Sequence, residues 1–429
     1  MSDLKLPDSN STVRVHLIDS TTCLTIKAES FIRPVQYGHE LINCTDVAFL
    51  IENEKTGKRV LFDSGCRKDY WNLPPVIQKR LGDVIPGLKV DKDVSEILQE
   101  KGVELDSVGS IIWSHYHWDH TGNASLFPKS TSITVGPGFK ASSALLPGYP
   151  EAPDSPVSAS DFKDRAVNEI NFNDYDASSF LEIGGYRAHD FFGDGSFYLL
   201  DTPGHCIGHM CGLARVTGSN APLGSTFVFM GGDIAHFAGV FRPSEAIPLP
   251  DPIPEGVLDE APQFSIPCEA WYFTDKHPRF VSNVPDNNRR DDGQQGSWYK
   301  VSTHERSGYT EPDTAQESVD KMQAFDDSPN VLVCTAHDPT LLDYLPTLNK
   351  EGVKGDGLKD FKEKGWKEKC HWGWLNELPR DGKPGRPPIV EGFWRDGKPW
   401  DRSEPQTIAQ AAIAAGTAAV NAAKDLLTK

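Results

Sequence analysis

The stretch Ser114-His115-Tyr116-His117-Trp118-Asp119-His120-Thr121-Gly122 decides how the rest of this chain is read. His115, His117, Asp119 and His120 are all donors for a transition metal. They follow Val108-Gly109-Ser110-Ile111-Ile112-Trp113, whose β-branched and aromatic residues predict a short buried strand. The donors then fall on the turn at the strand's carboxyl end, where α/β sheets commonly place their chemistry. On extended backbone His115 and His117 point to one side and can share an ion. Asp119 and His120 follow as the chain turns and can face a second position. Such ligands suit zinc, and also iron or manganese. The competing reading is a histidine-rich surface loop. So dense a cluster directly after a buried strand argues against it.

Outward from this stretch, the same arrangement recurs. Ser196–Leu200 reads as a strand and ends in Asp201-Thr202-Pro203-Gly204-His205. Ser225–Met230 reads as a buried strand and ends in Gly231-Gly232-Asp233. Asn330–Cys334 follows an amphipathic helix over Thr314–Phe325 and ends in Thr335-Ala336-His337-Asp338. Upstream, Arg59-Val60-Leu61-Phe62 runs into Asp63-Ser64-Gly65. Each of these acidic or imidazole side chains has a plainer alternative: Asp63 and Asp233 as turn or capping residues, His337 as a core histidine.

Taken together, the motifs resemble the metallo-β-lactamase superfamily. Ser114–Gly122 carries that family's H-x-H-x-D-H signature; Leu61–Gly65, Thr202–His205, Gly231–Asp233 and Thr335–Asp338 match its other motifs. The resemblance implies an α/β fold, a four-layer αββα sandwich with the site at one edge of its two sheets. It implies His115, His117 and His205 on one metal, Asp119, His120 and His337 on the other, and Asp233 between them. Asp63 then orients the metal loop from behind the ligands, and His209 has a supporting role rather than a ligand's. Two zinc ions, with iron or manganese as alternatives, would share a hydroxide that attacks a small-molecule carbonyl substrate, and Asp119 could pass a proton to the leaving group. The sequence around His115 is most similar to N-acyl-homoserine lactonases and fungal hydrolases acting on cyclic esters and amides. It departs from those lactonases at His236, where they often carry a tyrosine that holds the substrate carbonyl. A lactone or lactam hydrolase is the expectation; a thioesterase of the glyoxalase II kind shares the ligands, and a phosphodiesterase or nuclease is a further alternative.

Composition sets the remaining bounds. The 429 residues leave room for more than one domain. A hydrophobic fraction of 38% and a mean hydropathy of −0.43 fit a globular chain. The net charge of −18 speaks against a phosphate-binding surface, so nucleic acid is not an expected partner. Eight cysteines without C-x-x-C spacing read as reduced thiols. The polar segment Met1–Ser11 lacks a signal peptide's apolar core, and no apolar run is long enough to span a bilayer. A cytoplasmic protein is expected. Residues 12–348 form the expected catalytic domain, with polar, proline-rich insertions at about 139–180 and 237–313. Residues 349–429 form a tryptophan-rich extension whose indoles dock on the core, closing with an alanine-rich helix over Thr407–Leu427 that could pack on the body or on a second subunit of a homodimer.

Overall fold

Along the strand Leu41–Asn53, the side chains of Val47, Phe49 and Ile51 enter one buried cluster and those of Ala48 and Leu50 another. Successive side chains point to opposite faces of a strand, so a continuous apolar run needs cover on both faces. The same division recurs where Phe227 and Phe229 part from Val228 and Met230, and where Val331 and Val333 part from Leu332 and Cys334. The computed structural model describes residues 4–172, 181–260, 264–265, 267–278, 296–350 and 357–402.

The strands in chain order are β1 (Val13–Lys27), β2 (Ile32–Arg33), β3 (Leu41–Asn53), β4 (Arg59–Phe62), β5 (Gly87–Val90), β6 (Val108–Ile112), β7 (Ser132–Val135), β8 (Val167–Glu169) and β9 (Leu181–Ile183). There follow β10 (Tyr186–Asp190), β11 (Phe197–Asp201), β12 (Met210–Thr217), β13 (Thr226–Met230), β14 (Lys300–Val301), β15 (Val331–Cys334), β16 (Gly392–Arg395) and β17 (Lys398–Trp400). One sheet runs β17-β16-β5-β1-β3-β4-β6-β7-β8, a second β15-β13-β12-β11-β10-β9, and β14 pairs with β2 in a small third. The inner faces of the two large sheets share a core in which Leu17, Phe49, Phe62 and Ile112 meet Leu199, Met210, Val228 and Leu332. The helix Val94–Glu100, started by an Asp93/Glu96 capping box, puts Ile97 and Leu98 on the outer face of the first sheet. The helix Pro312–Asp327 covers the second with Ala315, Val319, Met322 and Phe325, a single stripe at helical spacing. The architecture is the αββα sandwich.

Three segments differ from the sequence reading. β1 continues through the polar Ser20, Thr21 and Thr22 to Lys27, whereas the alternating residues Thr12–Leu17 by themselves predict a strand of only six residues. A register shift between Asp19 and Cys23 admits these residues, and Ser20 Oγ donates to the Asp46 carbonyl at 2.6 Å. The segment from 139 was expected outside the core. Its Phe139 and Phe162 instead meet the Trp113 ring at 6.1 and 5.5 Å, and β8 pairs with β7. In the C-terminal segment Trp372 and Trp374 are buried, in line with indoles docked on the core, but β16 and β17, not expected as strands, extend the first sheet beyond β5. The expected helix over Thr407–Leu427 lies outside the described residues.

β4 and β6 run parallel, as do β13 and β15. β11 is antiparallel to β12, which is antiparallel to β13, so β11 shares the direction of β13. The carboxyl ends of β11, β13 and β15 therefore lie at one edge of their sheet, and those of β4 and β6 at one edge of theirs.

Candidate metal centre

The turn after β6 is held by backbone hydrogen bonds from both sheets. Asp63 N–H donates to the Ile112 carbonyl and Ser64 N–H to that of His120, at 2.9 and 2.8 Å. Met210 N–H, opening β12, donates to the Ser114 carbonyl at 2.8 Å. Asp119 and His120 sit on a single helical turn, Trp118–Thr121, which stops at Gly122. Gly122 has φ +55°, and a Cβ there would come within 2.5 Å of Ser64 Cβ, so only glycine lets the two turns close on each other.

The donor atoms converge in overlapping groups, each spanning less than 4.8 Å: His115, His117, His205 and Cys206; His115, His120 and Asp233; Asp119, His120 and His337; His205, Asp233 and His236. His205 Nε2 lies 2.9 Å from His117 Nδ1 and 3.2 Å from His115 Nε2. Asp233 Oδ2 is 3.4 Å from His115 Nε2 and 3.2 Å from His205 Nε2. Its other oxygen, Oδ1, is 2.9 Å from both His120 Nε2 and His337 Nε2. Asp119 Oδ2 is 3.8 Å from His337 Nε2. All seven side chains expected as ligands thus stand within one cluster, with His117 and Asp119 half-buried at its edge and the other five buried.

Behind them stand groups that fix the rings. Asp63 Oδ1 accepts from Ser114 N–H at 2.7 Å, and its Oδ2 meets His120 Nδ1 at 3.0 Å. A carboxylate only accepts, so His120 carries a proton on Nδ1, and Nε2 is the nitrogen that faces the centre. His209 Nε2 accepts from the Asp233 backbone N–H at 3.0 Å and its Nδ1 faces the Thr202 carbonyl at 2.9 Å, which leaves no nitrogen free for a metal. Two participants were missed in the sequence. Asp46, in the middle of β3, sets Oδ1 2.8 Å from His337 Nδ1. Tyr309 places its hydroxyl 3.0 Å from His236 Nδ1. Since His236 Nε2 lies 3.1 Å from Asp233 Oδ2, the ring proton sits on Nε2 and Tyr309 O–H donates to Nδ1. Neither Asp46 nor Tyr309 belongs to a motif; their roles come from chain-distant contacts.

Electrostatics ask for positive charge here. Asp46, Asp63 and Asp233 are buried, and the ion-pair partners of these three and of Asp119 are, among the described residues, all histidines. Burial pushes the Asp119 carboxyl up to about 7 and raises that of Asp46. Burial works against charging His120 and His337, yet Asp233, with Asp63 beside the first and Asp46 beside the second, drives both well above the usual imidazole range. Burial holds His115 and His117 far below that range, and His205 and His236 at about 4. Neutral imidazoles with lone pairs about 3 Å apart repel unless a cation stands between them. Zinc at about 2.0–2.1 Å from each nitrogen would set tetrahedral ligands roughly 3.3 Å apart, close to the spacing found. His120 Nε2 and Asp233 Oδ1 are buried without a hydrogen-bond partner. The donor set fits divalent cations, and zinc, iron and manganese are all compatible with it.

A family model described as the metallo-beta-lactamase superfamily matches residues 44–216. The chain is 36% identical to the γ-lactamase FDB1 of Fusarium pseudograminearum (strain CS3096) over 397 residues, 90% of this chain and 89% of that one. It belongs to the metallo-β-lactamase superfamily. It is 43% identical to the γ-lactamase MBL2 of Gibberella moniliformis (strain M3125 / FGSC 7600) over 222 residues, 51% of this chain and 87% of the relative. A solved quorum-quenching N-acyl homoserine lactone hydrolase aligns at 16% identity and a TM-score of 0.46, covering 81% of this chain and 99% of that one. This metallo-β-lactamase-fold chain is a hydrolase, and the superfamily implies divalent metal binding. None of its described helices is long and apolar enough to cross a membrane.

Proposed function

We propose that the protein is a dinuclear metal-dependent hydrolase that opens a small cyclic ester or cyclic amide. One observation carries the reading: Asp233 offers one carboxylate oxygen to each of two donor groups, Oδ2 toward His115 and His205, Oδ1 toward His120 and His337. His115, His117 and His205 would hold one cation, and Asp119, His120 and His337 the other. Divalent cations held there supply Lewis acidity, drawing the pKa of water from 15.7 toward roughly 7 and polarising a carbonyl.

The chain's own side chains do the rest. Asp63 and Asp46 fix the rings of His120 and His337 from behind. His236, its Nδ1 taken by Tyr309, presents Nε2–H to the centre as a donor for the oxygen that gains charge when the carbonyl is attacked. Asp119 Oδ2, at the edge of the second group, carries a proton to the leaving oxygen or nitrogen. Burial of the donors excludes bulk water from the reacting atoms. The γ-lactamase relatives support a cyclic amide or ester over an acyclic thioester.

Metal analysis with a panel of lactones, lactams and thioesters tests this. About two metal equivalents per chain are expected, with hydrolysis of a lactone or lactam lost on chelation and restored by divalent metal. His117→Ala should lose at least 100-fold in kcat/KM, several kcal/mol of transition-state stabilisation. Fewer than about one equivalent, or full activity in His117→Ala, would sink the reading.

A further inference from the structure

A buried sulfur stands among the histidines of the centre. Cys206 follows His205 directly on the turn between β11 and β12 and is 5% exposed. The turn is pinned on two sides. Thr310 N–H donates to the His205 carbonyl at 2.8 Å, and Glu311 N–H to that of Gly204 at 2.9 Å. On the other side Gly136 lies so close that a Cβ on it would come within 1.9 Å of the Gly208 carbonyl oxygen. Held in this way, Cys206 places Sγ in one group with a nitrogen each of His115, His117 and His205, all four donors within 4.8 Å of one another. The backbone N–H of Tyr116, between the first two histidines, donates to the sulfur. The thiol's own acceptor is the Ile207 carbonyl, at a long 3.7 Å.

Independently of the sulfur, the nitrogens call for a cation: His205 Nε2 stands 2.9 Å from His117 Nδ1 and 3.2 Å from His115 Nε2. Zinc holds nitrogen at about 2.0–2.1 Å and thiolate sulfur at about 2.3 Å, so tetrahedral N and S lie roughly 3.6 Å apart, inside the span of the group. We propose that Cys206 is a fourth protein ligand of the cation held by His115, His117 and His205, and that its thiolate makes this position selective for thiophilic metals, zinc or cadmium. The inference rests on the assignment of those three histidines to one cation. On binding, the sulfur gives its proton to solvent and a lone pair to the metal. Thiolate is a soft donor that favours zinc and adds little for manganese. Asp119, His120 and His337 offer the other position only nitrogen and oxygen, which suit manganese and iron as well. Four protein donors also close the first position in the manner of a structural zinc, which makes it the slower of the two to lose its metal.

X-ray absorption on the protein loaded with one equivalent of zinc reads the ligands directly. One sulfur at about 2.3 Å is expected beside nitrogen at about 2.0–2.1 Å. Loaded instead with one equivalent of cobalt(II), the protein should show a sulfur-to-cobalt charge-transfer band in the near ultraviolet. Both signals should vanish in Cys206→Ser and persist in Cys23→Ser, which removes a thiol outside the four-donor group. In competition for the first equivalent, Cys206→Ser should lower the preference for cadmium over manganese by at least about tenfold. The spectra of the unmutated protein keep the test decisive if a variant fails to fold. A zinc shell of nitrogen and oxygen alone in the unmutated protein, or an unchanged band in a folded Cys206→Ser, overturns the ligation and leaves the dinuclear reading standing. A sulfur shell lost in Cys206→Ser, in a protein that hydrolyses no lactone or lactam, overturns the hydrolase reading and leaves Cys206 as a ligand.

Discussion

Replacing Asp63 by Asn should weaken one half of the metal centre and leave the fold standing. The carboxylate serves two buried donors at once, Ser114 N–H at 2.7 Å and His120 Nδ1–H at 3.0 Å. Asparagine keeps one oxygen for Ser114, and it tolerates the left-handed backbone that Asp63 adopts, φ +57°. Its other terminus is an NH2 group facing His120 Nδ1. That nitrogen must become the acceptor, and the ring proton moves to Nε2, where it covers the lone pair that faces Asp233 Oδ1 at 2.9 Å. The folded chain exchanges a charge-assisted hydrogen bond for a neutral one, a loss of about 1 kcal/mol. Metal affinity at the His120 position should fall by about 10–100-fold, the usual consequence of losing a partner behind a ligand.

Asp63→Ala separates the two effects. It strips both acceptors and leaves two buried donors bare, at about 1–3 kcal/mol each. Urea unfolding of the metal-free proteins should therefore rank the unmutated chain first, Asp63→Asn slightly below it, and Asp63→Ala several kcal/mol lower. Metal retained against a graded series of chelators, measured by mass spectrometry, should show one tight equivalent in Asp63→Asn and a second released far earlier than in the unmutated protein. If Asp63→Asn holds both equivalents as tightly as the unmutated protein does, the carboxylate does not set the His120 tautomer, and its place behind the ligand has no bearing on the metal.

Two other perturbations probe the scaffold. Arg242 and Asp326 form a buried two-pronged pair at 2.9 and 2.8 Å that ties the loop after His236 to the helix Pro312–Asp327. Asp326→Asn strands a buried guanidinium and should cost about 3–5 kcal/mol in denaturant unfolding; a loss below about 1 kcal/mol would mean the loop relaxes to let water in. Asp161 is buried, and burial pushes its carboxyl up to about 7 from 3.8. A raised carboxyl favours the folded state below pH 3.8, and that advantage is lost as pH rises through about 7, by up to roughly 4 kcal/mol. Asp161→Asn should thus raise the melting temperature more at pH 8 than at pH 5, and an equal shift at both would show that Asp161 ionises freely.

The motif residues were legible because each sits within a few positions of the strand that delivers it. His115, His117, Asp119 and His120 follow β6 directly, and His205, Asp233 and His337 follow β11, β13 and β15. A strand end is a local feature, so residue order alone announces it. Asp46 gave no such signal: it lies inside β3, away from any strand end, and acts through His337, a residue distant in sequence. Tyr309 comes from the 237–313 insertion, a stretch with little regular periodicity to fix where a side chain points. The continuation of β1 was hidden for a different reason. Ser20 and Thr22 are buried polar residues whose partners lie across the bulge, and a polar run reads as a turn until those partners are known.

Scaffold and selectivity are divided along the same line. Groups at strand ends are held by two sheets and a shared core, so their spacing is stiff. Such stiffness suits atoms that must stand about 3 Å apart. Apart from Asn43 in β3, the residues beside His236 and His337 come from segments late in the chain that are anchored by side chains, as Glu377 is by Asn43 and Arg386. Substitutions there change what fits beside His236 and His337 without moving the β6 turn. The family model stops at residue 216, before every one of these residues but Asn43, which immediately precedes its start. The donors of the Ser114–Gly122 turn and the residues that stand beside His236 and His337 therefore lie in different parts of the chain, and the first can be kept while the second vary.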